Sequence, residues 1–227
     1  MKQDLEIEPS EDLAYWVGVA QSDGCLTRYT KKDDVRSQLI IGVCQKSLPM
    51  LERFREISRK LLDRDSKIWR IRKERIFHIG IKSLLEKFRE SGIILSPLFI
   101  PPIWTIGKPR YFGAYLAGLI DGDGDIRIKR PKYPQCQIRI CTGIWQEILQ
   151  KQLVAIGLST SQYKRHQEKF VKSLGRIIKG SWIELEFGVT KKSRIFIQDY
   201  VVPQITLIYK KEKLLSFIEK KYAPVGI

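Results

Sequence analysis

An internal duplication, offset by 100 positions, constrains this chain more than any other feature. AYWVGVAQSDGCL, residues 14–26, aligns with AYLAGLIDGDGDI, residues 114–126. Both segments are apolar, both place small residues four positions apart, and both end in Asp-Gly. A four-residue spacing puts the small residues on one stripe of a helix, so that two such helices can approach closely. The small residues are Ala14, Gly18 and Ser22 in the first copy, and Ala114, Gly118 and Gly122 in the second.

The similarity between the two halves continues downstream. SQLIIGVCQKSLPMLERF follows the first copy and QCQIRICTGIWQEILQKQL the second, and each is typical of a strand that leads into an amphipathic helix. FHIGIKSLL and LEFGVTKKSRI form a further matching pair of strand and helix. The spacing P-x-I-x4-K then occurs in residues 101–108 and again in residues 203–210. Each half is therefore predicted to run helix, two strands, helix, two strands, helix.

The proline-rich segment SPLFIPPIWTIGKPR, residues 96–110, is interpreted as the connector, because prolines interrupt both helices and strand ladders. We place the boundary between the halves near residue 107, which gives domains 1–106 and 107–227, with the repeated motif at 16–24 and 116–124. If the two motif helices pair about a pseudo-twofold axis, Asp23 and Asp123 meet at one end of the pair.

The charge balance indicates the kind of partner. Lys and Arg total 41 against 25 Asp and Glu, which gives a net charge of +16 and a pI near 9.7. Such an excess suits a polyanion, because neutralised phosphates release their counterions. An anionic membrane surface is the alternative, but the basic residues are not confined to one amphipathic helix. With a polar N-terminus and no apolar run of about 20 residues, we expect an intracellular protein that binds nucleic acid.

Cysteine spacing and asparagine content give two smaller expectations. The cysteines are Cys25, Cys44, Cys136 and Cys141, with no CxxC pair and only two histidines in the chain. This pattern favours buried thiols over structural zinc. The chain contains no asparagine but is rich in Lys, Arg, Glu and Ile, a composition that favours a thermophilic source.

At residues 116–124 the sequence LAGLIDGDG resembles the motif of the LAGLIDADG homing endonucleases, and matches eight of its nine letters. The first copy, residues 16–24, keeps only Gly18, Asp23 and Gly24, so its assignment rests on the repeat. The resemblance extends over residues 10–222 and is to the single-chain type with two motifs, of an archaeal, intron-encoded kind. It implies an α+β fold of two αββαββα halves, with paired motif helices and antiparallel sheets that form a saddle over the DNA major groove.

The same resemblance implies the activity. Members cut both strands of a long, weakly palindromic target as monomers, with Mg²⁺ or Mn²⁺, while Ca²⁺ binds without supporting cleavage. The metal-binding acids fall on Asp23 and Asp123, and Gln45 matches a position that contributes a polar side chain. Where the family has an earlier aspartate, this chain has Asp121 in one copy and Gln21 in the other, so Asp121 is interpreted as structural.

The chemistry of the residues agrees with this function. Phosphodiester hydrolysis needs an activated water and stabilisation of charge, and Mg²⁺ takes oxygen ligands while keeping several waters. A lone Asp-Gly is more often a turn, so it is the duplication that favours a catalytic pair. Lys108 and Lys210, from the repeated P-x-I-x4-K, are candidates to stabilise negative charge or position the water, and the alternative is a solvated lysine near a helix start.

Strand alternation selects the residues that would face DNA. Arg suits guanine edges and Gln suits adenine, whereas contacts to phosphate position the protein without specifying sequence. Any single outward Arg or Lys is equally consistent with a solvated sheet face. The candidates in the first half are Thr27, Tyr29, Arg36, Gln38, Arg70 and Arg72. Those in the second are Asp125, Arg127, Lys129, Gln135, Gln137, Arg139, Lys164 and Arg165.

Two other functions fit the same composition. An intron-RNA maturase or a nuclease-dead DNA-binding protein would use the same scaffold, although loss of a motif acid would have favoured the latter and both acids are present. A basic protein that compacts DNA would show neither dependence on divalent metal nor preference for a site. Divalent-metal-dependent cleavage separates the endonuclease from all of these.

Overall fold

The computed structural model describes residues 6–31, 34–130, 133–171 and 176–222 of the 227-residue chain. The first half contains α1 (Glu11–Ser22), β1 (Gly24–Lys31), β2 (Asp34–Cys44), α2 (Leu48–Leu62), β3 (Trp69–Ile71), β4 (Glu74–Gly80) and α3 (Leu85–Glu90). The second contains α4 (Pro109–Asp121), β5 (Gly124–Lys129), β6 (Gln135–Thr142), α5 (Glu147–Ala155), β7 (Thr160–Val171), β8 (Arg176–Val189), α6 (Arg194–Phe196) and α7 (Ile208–Tyr222). The predicted α+β fold of two αββαββα halves is confirmed, with α7 as an addition.

Each half forms an antiparallel four-stranded sheet of the same order. The first sheet is β1-β2-β4-β3 and the second is β5-β6-β8-β7. One face of each sheet is buried under helices, because strand residues two apart lie on the same side. The buried side chains are Leu39, Ile41, Phe77 and Ile79 in the first sheet, and Ile138, Ile140, Leu185 and Phe187 in the second. The opposite face of each sheet, here called its open face, carries the remaining strand residues.

Helices α1 and α4 pair with unusually close backbones. A Cβ atom on Gly18 would collide with the carbonyl oxygen of Tyr115, and one on Gly118 would collide with the carbonyl oxygen of Tyr15. Each such Cβ would lie 3.1 Å from the Cα of the other glycine, so the contact is reciprocal. The pairing of the two motif helices predicted from the small-residue stripe is therefore confirmed.

Two buried tyrosines tie the helices together with the same symmetry. Tyr15 Oη donates to Asp121 Oδ2 at 2.8 Å, and Tyr115 Oη donates to Gln21 Oε1 at 2.6 Å. Tyrosine and acceptor are offset by 100 positions between the two bonds, as the repeat is. Each bond joins the middle of one motif helix to the last turn of the other, so the two bonds fix how far one helix is shifted along its axis relative to the other.

The difference between Asp121 and Gln21 has a local cause. Asp121 accepts hydrogen bonds from the backbone N–H groups of Thr206 and Leu207 at 2.7 and 3.2 Å. Gln21 instead donates its amide to the carbonyls of Ile94 and Ile100 at 2.8 and 2.9 Å. A carboxylate suits a segment that presents donors, and an amide suits one that presents acceptors. Both side chains are therefore structural anchors, as the sequence indicated for Asp121.

Asp121→Ala should lower the free energy of unfolding by at least about 3 kcal/mol, because it leaves three donors without an acceptor and each buried one costs about 1–3 kcal/mol. Urea denaturation measures the loss. Asp121→Asn keeps an acceptor oxygen and serves as the matched control, with a smaller loss. If a fully folded Asp121→Asn protein lost all ability to cut DNA, a purely structural role of Asp121 would be contradicted.

The connector between the two halves lies just before the second motif helix. The predicted boundary near residue 107 falls between the 3-10 turn Ile103–Thr105 and α4. Among the described helices, none is both long and apolar enough to cross a membrane.

The prediction of buried thiols was wrong for most of the cysteines. Cys136 is buried, Cys141 is partly exposed, and Cys25 and Cys44 are exposed. The exposed pair lies on the open face of the first sheet, where no helix covers it.

Candidate active site

The two motif aspartates lie together where α1 and α4 end. Asp23 caps α1, its N–H bonded to the carbonyl of Val19 at 3.0 Å, and Asp123 follows the last turn of α4. Asp23 Oδ2 is 3.0 Å from the position that a Cβ on Gly122 would occupy, and the Ser22 hydroxyl fills the rest of that space. A side chain at residue 122 would therefore push the two acids apart.

Burial and mutual repulsion dominate the electrostatics of this pair. Burial raises the pKa of Asp23 to about 6, against the opposing charge of Lys210. Burial and then the charge of Asp23 raise the pKa of Asp123 to about 7. Within the described ranges, neither carboxylate shows a hydrogen bond or a direct ion pair, and only burial and the charges of Lys210 and of the paired acid act on their pKa values. Two partly desolvated acids that make no direct ion pair, and that have only the charge of Lys210 nearby to oppose their repulsion, form a place that a cation would stabilise.

Lys210 is the lysine that reaches this site. It is only 6% exposed, and its ammonium donates to the carbonyls of Ile120, Asp121 and Gly122 at 2.6, 2.9 and 3.4 Å. A cation on the last carbonyls of a helix complements the helix dipole. Burial lowers the pKa of Lys210, and the nearby aspartates, with Asp121 foremost, oppose that shift.

Lys108 does not reach the acids. It precedes the first residue of α4, is exposed, and has its Nζ 5.4 Å from the centroid of the Tyr111 ring. Asp123 lies beyond the other end of this 13-residue helix, about 20 Å away at 1.5 Å per residue. The repeated P-x-I-x4-K suggested equivalent places for Lys108 and Lys210. In the second half the motif ends in α7, whereas in the first half it ends just before the motif helix α4.

Gln45 begins a 3-10 turn, Gln45–Ser47, directly after β2, and its side chain is exposed. The turn lies near the acids because Ile41 of β2 pairs with Gly24, the residue after Asp23. Lys46, next in the chain, has its Nζ 3.7 Å from the centroid of the Tyr209 ring. Sequence reasoning missed Lys46 and Tyr209, because neither has a counterpart in the repeat, and only adjacency to Gln45 and Lys210 could have indicated them.

The donor set fits a hard divalent cation. Across the described residues, no three His, Cys, Asp or Glu side chains gather as a metal cage. Mg²⁺ needs no such cage, because it keeps several waters and is completed by substrate phosphates. Asp23 and Asp123, neither of which makes a direct ion pair, supply the carboxylate oxygens that such an ion prefers.

The open face of the first sheet carries four of the predicted DNA-facing residues. Thr27 lies opposite Gln38, and Tyr29 lies opposite Arg36, in the β1–β2 register. Arg70 is a correction: it pairs with Arg75, on the side of the buried Phe77, and Arg72 lies in the β3–β4 turn with φ 55°. The open face instead presents Trp69 and Ile71, 52% and 53% exposed. β3 has only three residues, and a one-residue error in register exchanges its faces.

The open face of the second sheet carries six predicted residues in three directly opposed pairs. The pairs are Asp125 with Arg139, Arg127 with Gln137, and Lys129 with Gln135. Lys164 is a correction, since it pairs with the buried Ile183 and so lies on the helix side of the sheet, whereas Arg165 pairs with Trp182 on the open face. β7 is an edge strand, so Lys164 is exposed although it faces that side.

No family model and no curated protein matches the sequence. The structure does match solved structures of other proteins. The LAGLIDADG homing endonuclease I-LtrWI bound to target DNA is 14% identical over 94% of this chain and 92% of its own, with a TM-score of 0.52. The meganuclease I-AabMI bound to uncleaved DNA is 15% identical over 93% and 91%, with a TM-score of 0.55. A variant of I-DmoI with its target DNA in the presence of Mg²⁺ is 17% identical over 85% and 96%, with a TM-score of 0.53.

The chain has the fold of the LAGLIDADG homing endonucleases.

Within this LAGLIDADG fold, the second open face holds a network of ion pairs. The guanidinium of Arg139 donates to Asp125 at 2.7 Å and to Glu184 at 2.8 Å, and Arg165 donates to the other oxygen of Glu184 at 2.9 Å. Burial opposes ionisation of Glu184, yet hydrogen bonds from Arg165 and Trp182 and the charge of Arg139 leave its pKa lowered. Arg139 lies on the open face, as alternation predicted, but it is only 6% exposed. Its charge is already matched by protein carboxylates.

Arg139→Met should lower the free energy of unfolding by about 3–5 kcal/mol, the usual cost of removing one partner from a buried ion pair. The matched control is Arg127→Met, which removes a surface pair with Asp125 and should cost no more than about 1 kcal/mol. Chemical denaturation of both proteins makes the comparison. Equal losses would contradict a buried structural role for Arg139.

Proposed function

We propose that this protein is a site-specific double-strand DNA endonuclease that uses a divalent cation held by Asp23 and Asp123. The observation that carries the proposal is the meeting of these two desolvated carboxylates between two open sheet faces. Relatives in fold support it, since I-LtrWI is bound to target DNA and I-DmoI is bound to its target in the presence of Mg²⁺.

Asp23 and Asp123 would hold the cation, Mg²⁺ or Mn²⁺, and both must lose their protons to do so. When bound, the cation lowers the pKa of a water and stabilises charge on the phosphate. Lys210 keeps a fixed positive charge beside the acids. Because its ammonium donates to the carbonyls of Ile120, Asp121 and Gly122, it acts through its charge and not as a proton donor. Gln45 and Lys46 are exposed beside it and can contact a phosphate directly.

The open faces would read the target. On the first face, Arg36 and Gln38 suit purine edges, and Trp69 and Ile71 offer apolar contact to thymine methyl groups. On the second, Arg127, Gln135 and Gln137 share the face with acidic side chains. The two faces differ at nearly every position, so the target is expected to be long and only weakly palindromic. Because both halves of the site are in one chain, we propose that a monomer acts, in the homing of an intron at high temperature.

A cleavage selection tests this function. Purified protein, Mg²⁺ and a library of long randomised duplexes should yield one extended sequence cut on both strands, with no product in EDTA. Mn²⁺ should support cutting, and Ca²⁺ should support binding alone. Enrichment of bound DNA without cutting, in Mg²⁺ and Mn²⁺ and from 25 to about 70 °C, would contradict the nuclease and favour a DNA-binding or RNA maturase role.

A further inference from the structure

The two open faces carry a matched pair of cavities, each lined by a glycine that lies opposite a glutamine. Gln38 pairs with Gly80 in the first sheet, and Gln137 pairs with Gly188 in the second. Each glutamine is three residues along its strand from the residue that pairs with the glycine after a motif aspartate. At about 3.3 Å per residue, both cavities therefore lie about 10 Å along the strands from the level of the paired acids.

The cavity at Gly188 is rich in hydrogen-bond acceptors. Its volume is about 340 Å³, and the polar side chains that line it include Gln137, Ser161, Glu186 and Thr190. Glu186 is only 4% exposed, and Gln137 Oε1 is buried without a hydrogen-bond partner. Two acceptors therefore face a space that the glycine leaves unfilled.

The carboxylate of Glu186 lacks the cation that its position in the sheet would offer. Arg139 lies directly opposite Glu186, but its guanidinium donates to Asp125 and Glu184 instead. Among the described residues, Glu186 forms no ion pair. Buried polar groups in proteins nearly always have partners, so an unpaired one indicates a place where water or a ligand supplies the donor.

The equivalent cavity at Gly80 has the opposite character. Its volume is about 560 Å³, and its charged lining residues are Arg36, Arg64 and Lys82 with a single acid, Asp34. Asp34 accepts from Lys82 at 2.7 Å and lies 3.4 Å from Arg36. Three cations against one carboxylate leave an excess of donors at this place in the first half.

From this contrast we propose that Glu186 and Gln137 select a cytosine in the target, through the amine on C4 of that base. The inference rests on the proposed reading of DNA by the open faces. In the major groove cytosine presents this amine as a donor, whereas guanine and thymine present acceptor oxygens. A carboxylate accepts from the amine and repels the oxygens. Adenine also carries an amine, but beside its acceptor N7, for which a carboxylate has no donor.

The shape of the cavity is compatible with this contact. No side chain at residue 188 blocks the approach of a base edge to Glu186. A volume of about 340 Å³ also has room for a water that bridges the carboxylate and the amine, and such a bridge is nearly as favourable as a direct hydrogen bond.

The same reasoning gives guanine at the cavity of the first half, because Arg36 and Lys82 are donors that match guanine O6 and N7. A perfect palindrome would present one and the same base to both cavities, since the pseudo-twofold axis relates them. The target should therefore depart from a palindrome at this matched pair of positions.

Glu186 also acts against other sequences. A carboxylate on a DNA-binding face repels the phosphates of every duplex, and bound DNA that supplies no amine leaves it buried and unpaired. Removal of the charge should therefore tighten binding to unrelated DNA and at the same time relax the preference for cytosine.

Selection of bound duplexes from a randomised library in EDTA tests the assignment without cleavage. The unaltered protein should enrich a cytosine at one position where Glu186→Gln does not. Replacement of that cytosine by thymine should weaken binding about 5- to 150-fold, the range for one good base contact. Glu186→Gln should bind the two duplexes about equally, and should bind unrelated DNA several-fold more tightly than the unaltered protein does.

A base analogue tests the amine itself. A duplex with 2-pyrimidinone in place of the selected cytosine lacks only that amine, and adds neither the oxygen nor the methyl group of thymine. The unaltered protein should bind it at least about fivefold more weakly than the cytosine duplex, and Glu186→Gln should bind both about equally.

Gly188→Val tests the cavity while leaving the carboxylate in place. A Cβ at residue 188 would have no neighbour closer than 3.9 Å, so this variant should fold normally but lose the preference for cytosine. Gly180→Val is the matched control on the same strand, where a Cβ would meet no atom within 4 Å, and it should keep the preference.

The outcomes separate this inference from the proposed function. If a target is enriched and cut but no position responds to Glu186→Gln, the cytosine assignment is wrong and the endonuclease stands. If the cytosine responds as described but the target is not cut in Mg²⁺, the assignment stands and the endonuclease is wrong. Enrichment of no sequence at all would overturn both.

Discussion

Asp123→Asn should reduce double-strand cleavage by at least about a thousandfold while leaving DNA binding in EDTA close to that of the unaltered protein. The carboxylate is one of the two motif acids, Asp23 and Asp123, that meet beyond the motif helices, and a neutral amide supplies no charge to hold Mg²⁺. Its removal takes away metal-assisted stabilisation of the reaction, which exceeds the effect of a single hydrogen-bond donor. Single-turnover cleavage and a fluorescence binding assay measure the two effects separately.

The same substitution should raise the metal-free melting temperature at neutral pH. The pKa of Asp123 is about 7 in the folded protein, against about 4 for an unfolded aspartate. Between those values the native state binds more protons than the unfolded state, so metal-free stability falls as pH rises from 4 to 7. Asn cannot ionise and escapes this loss. An increase of a few degrees at pH 8 is expected, at about 2–4 °C per kcal/mol for a chain of this size.

Asp125→Asn provides a control of opposite sign. Burial of Asp125 would raise its pKa, but bonds from Arg139 and Arg127 outweigh it and lower the pKa. Neutralising Asp125 should therefore reduce stability at pH 8, whereas neutralising Asp123 should increase it. Added Mg²⁺ should stabilise the unaltered protein and not Asp123→Asn. Normal cleavage by Asp123→Asn would remove this acid from the site, and an unchanged melting temperature would show that it is not desolvated.

The sequence predicted well the features that depend on a short, regular spacing of residues along a helix or a strand. A stripe of small residues four apart requires a close helix partner. Strand alternation assigned Thr27, Gln38, Arg127 and Gln137 to the outward side of their strands, and the structure places them on the open faces. The duplication then fixed the meeting of Asp23 and Asp123, because symmetry leaves the two motif helices few other ways to bury their apolar surface.

The features that sequence did not predict depend on tertiary context. Arg70 was assigned to the open face, but a three-residue strand carries too little pattern to fix its register. Arg139 alternates correctly with its neighbours, yet its burial depends on Glu184, a residue 45 positions away on another strand. Lys108 shares its local pattern with Lys210, and only the identity of the following helix separates their positions. In each case the deciding contact is long-range.

Gly118→Leu should strongly destabilise the protein. Even a Cβ at residue 118 meets the carbonyl oxygen of Tyr15 and lies 3.0 Å from the backbone nitrogen of Val19. These are backbone atoms of a packed helix, so the helices themselves must separate, at a cost of at least about 3 kcal/mol. The melting temperature should fall by roughly 6–12 °C.

Smaller substitutions separate this contact from the general effect of replacing glycine. Gly118→Ala and Gly18→Ala should each destabilise, and together they should cost less than the sum, because one movement of the helices relieves both collisions. Gly180→Ala, where a Cβ would meet no atom within 4 Å, should be nearly neutral. Separation of α1 from α4 also moves Asp23 away from Asp123, so Gly118→Ala should lose cleavage at temperatures where it is still folded. A Gly118→Ala protein as stable as Gly180→Ala would show that the paired helices do not set the spacing of the two acids.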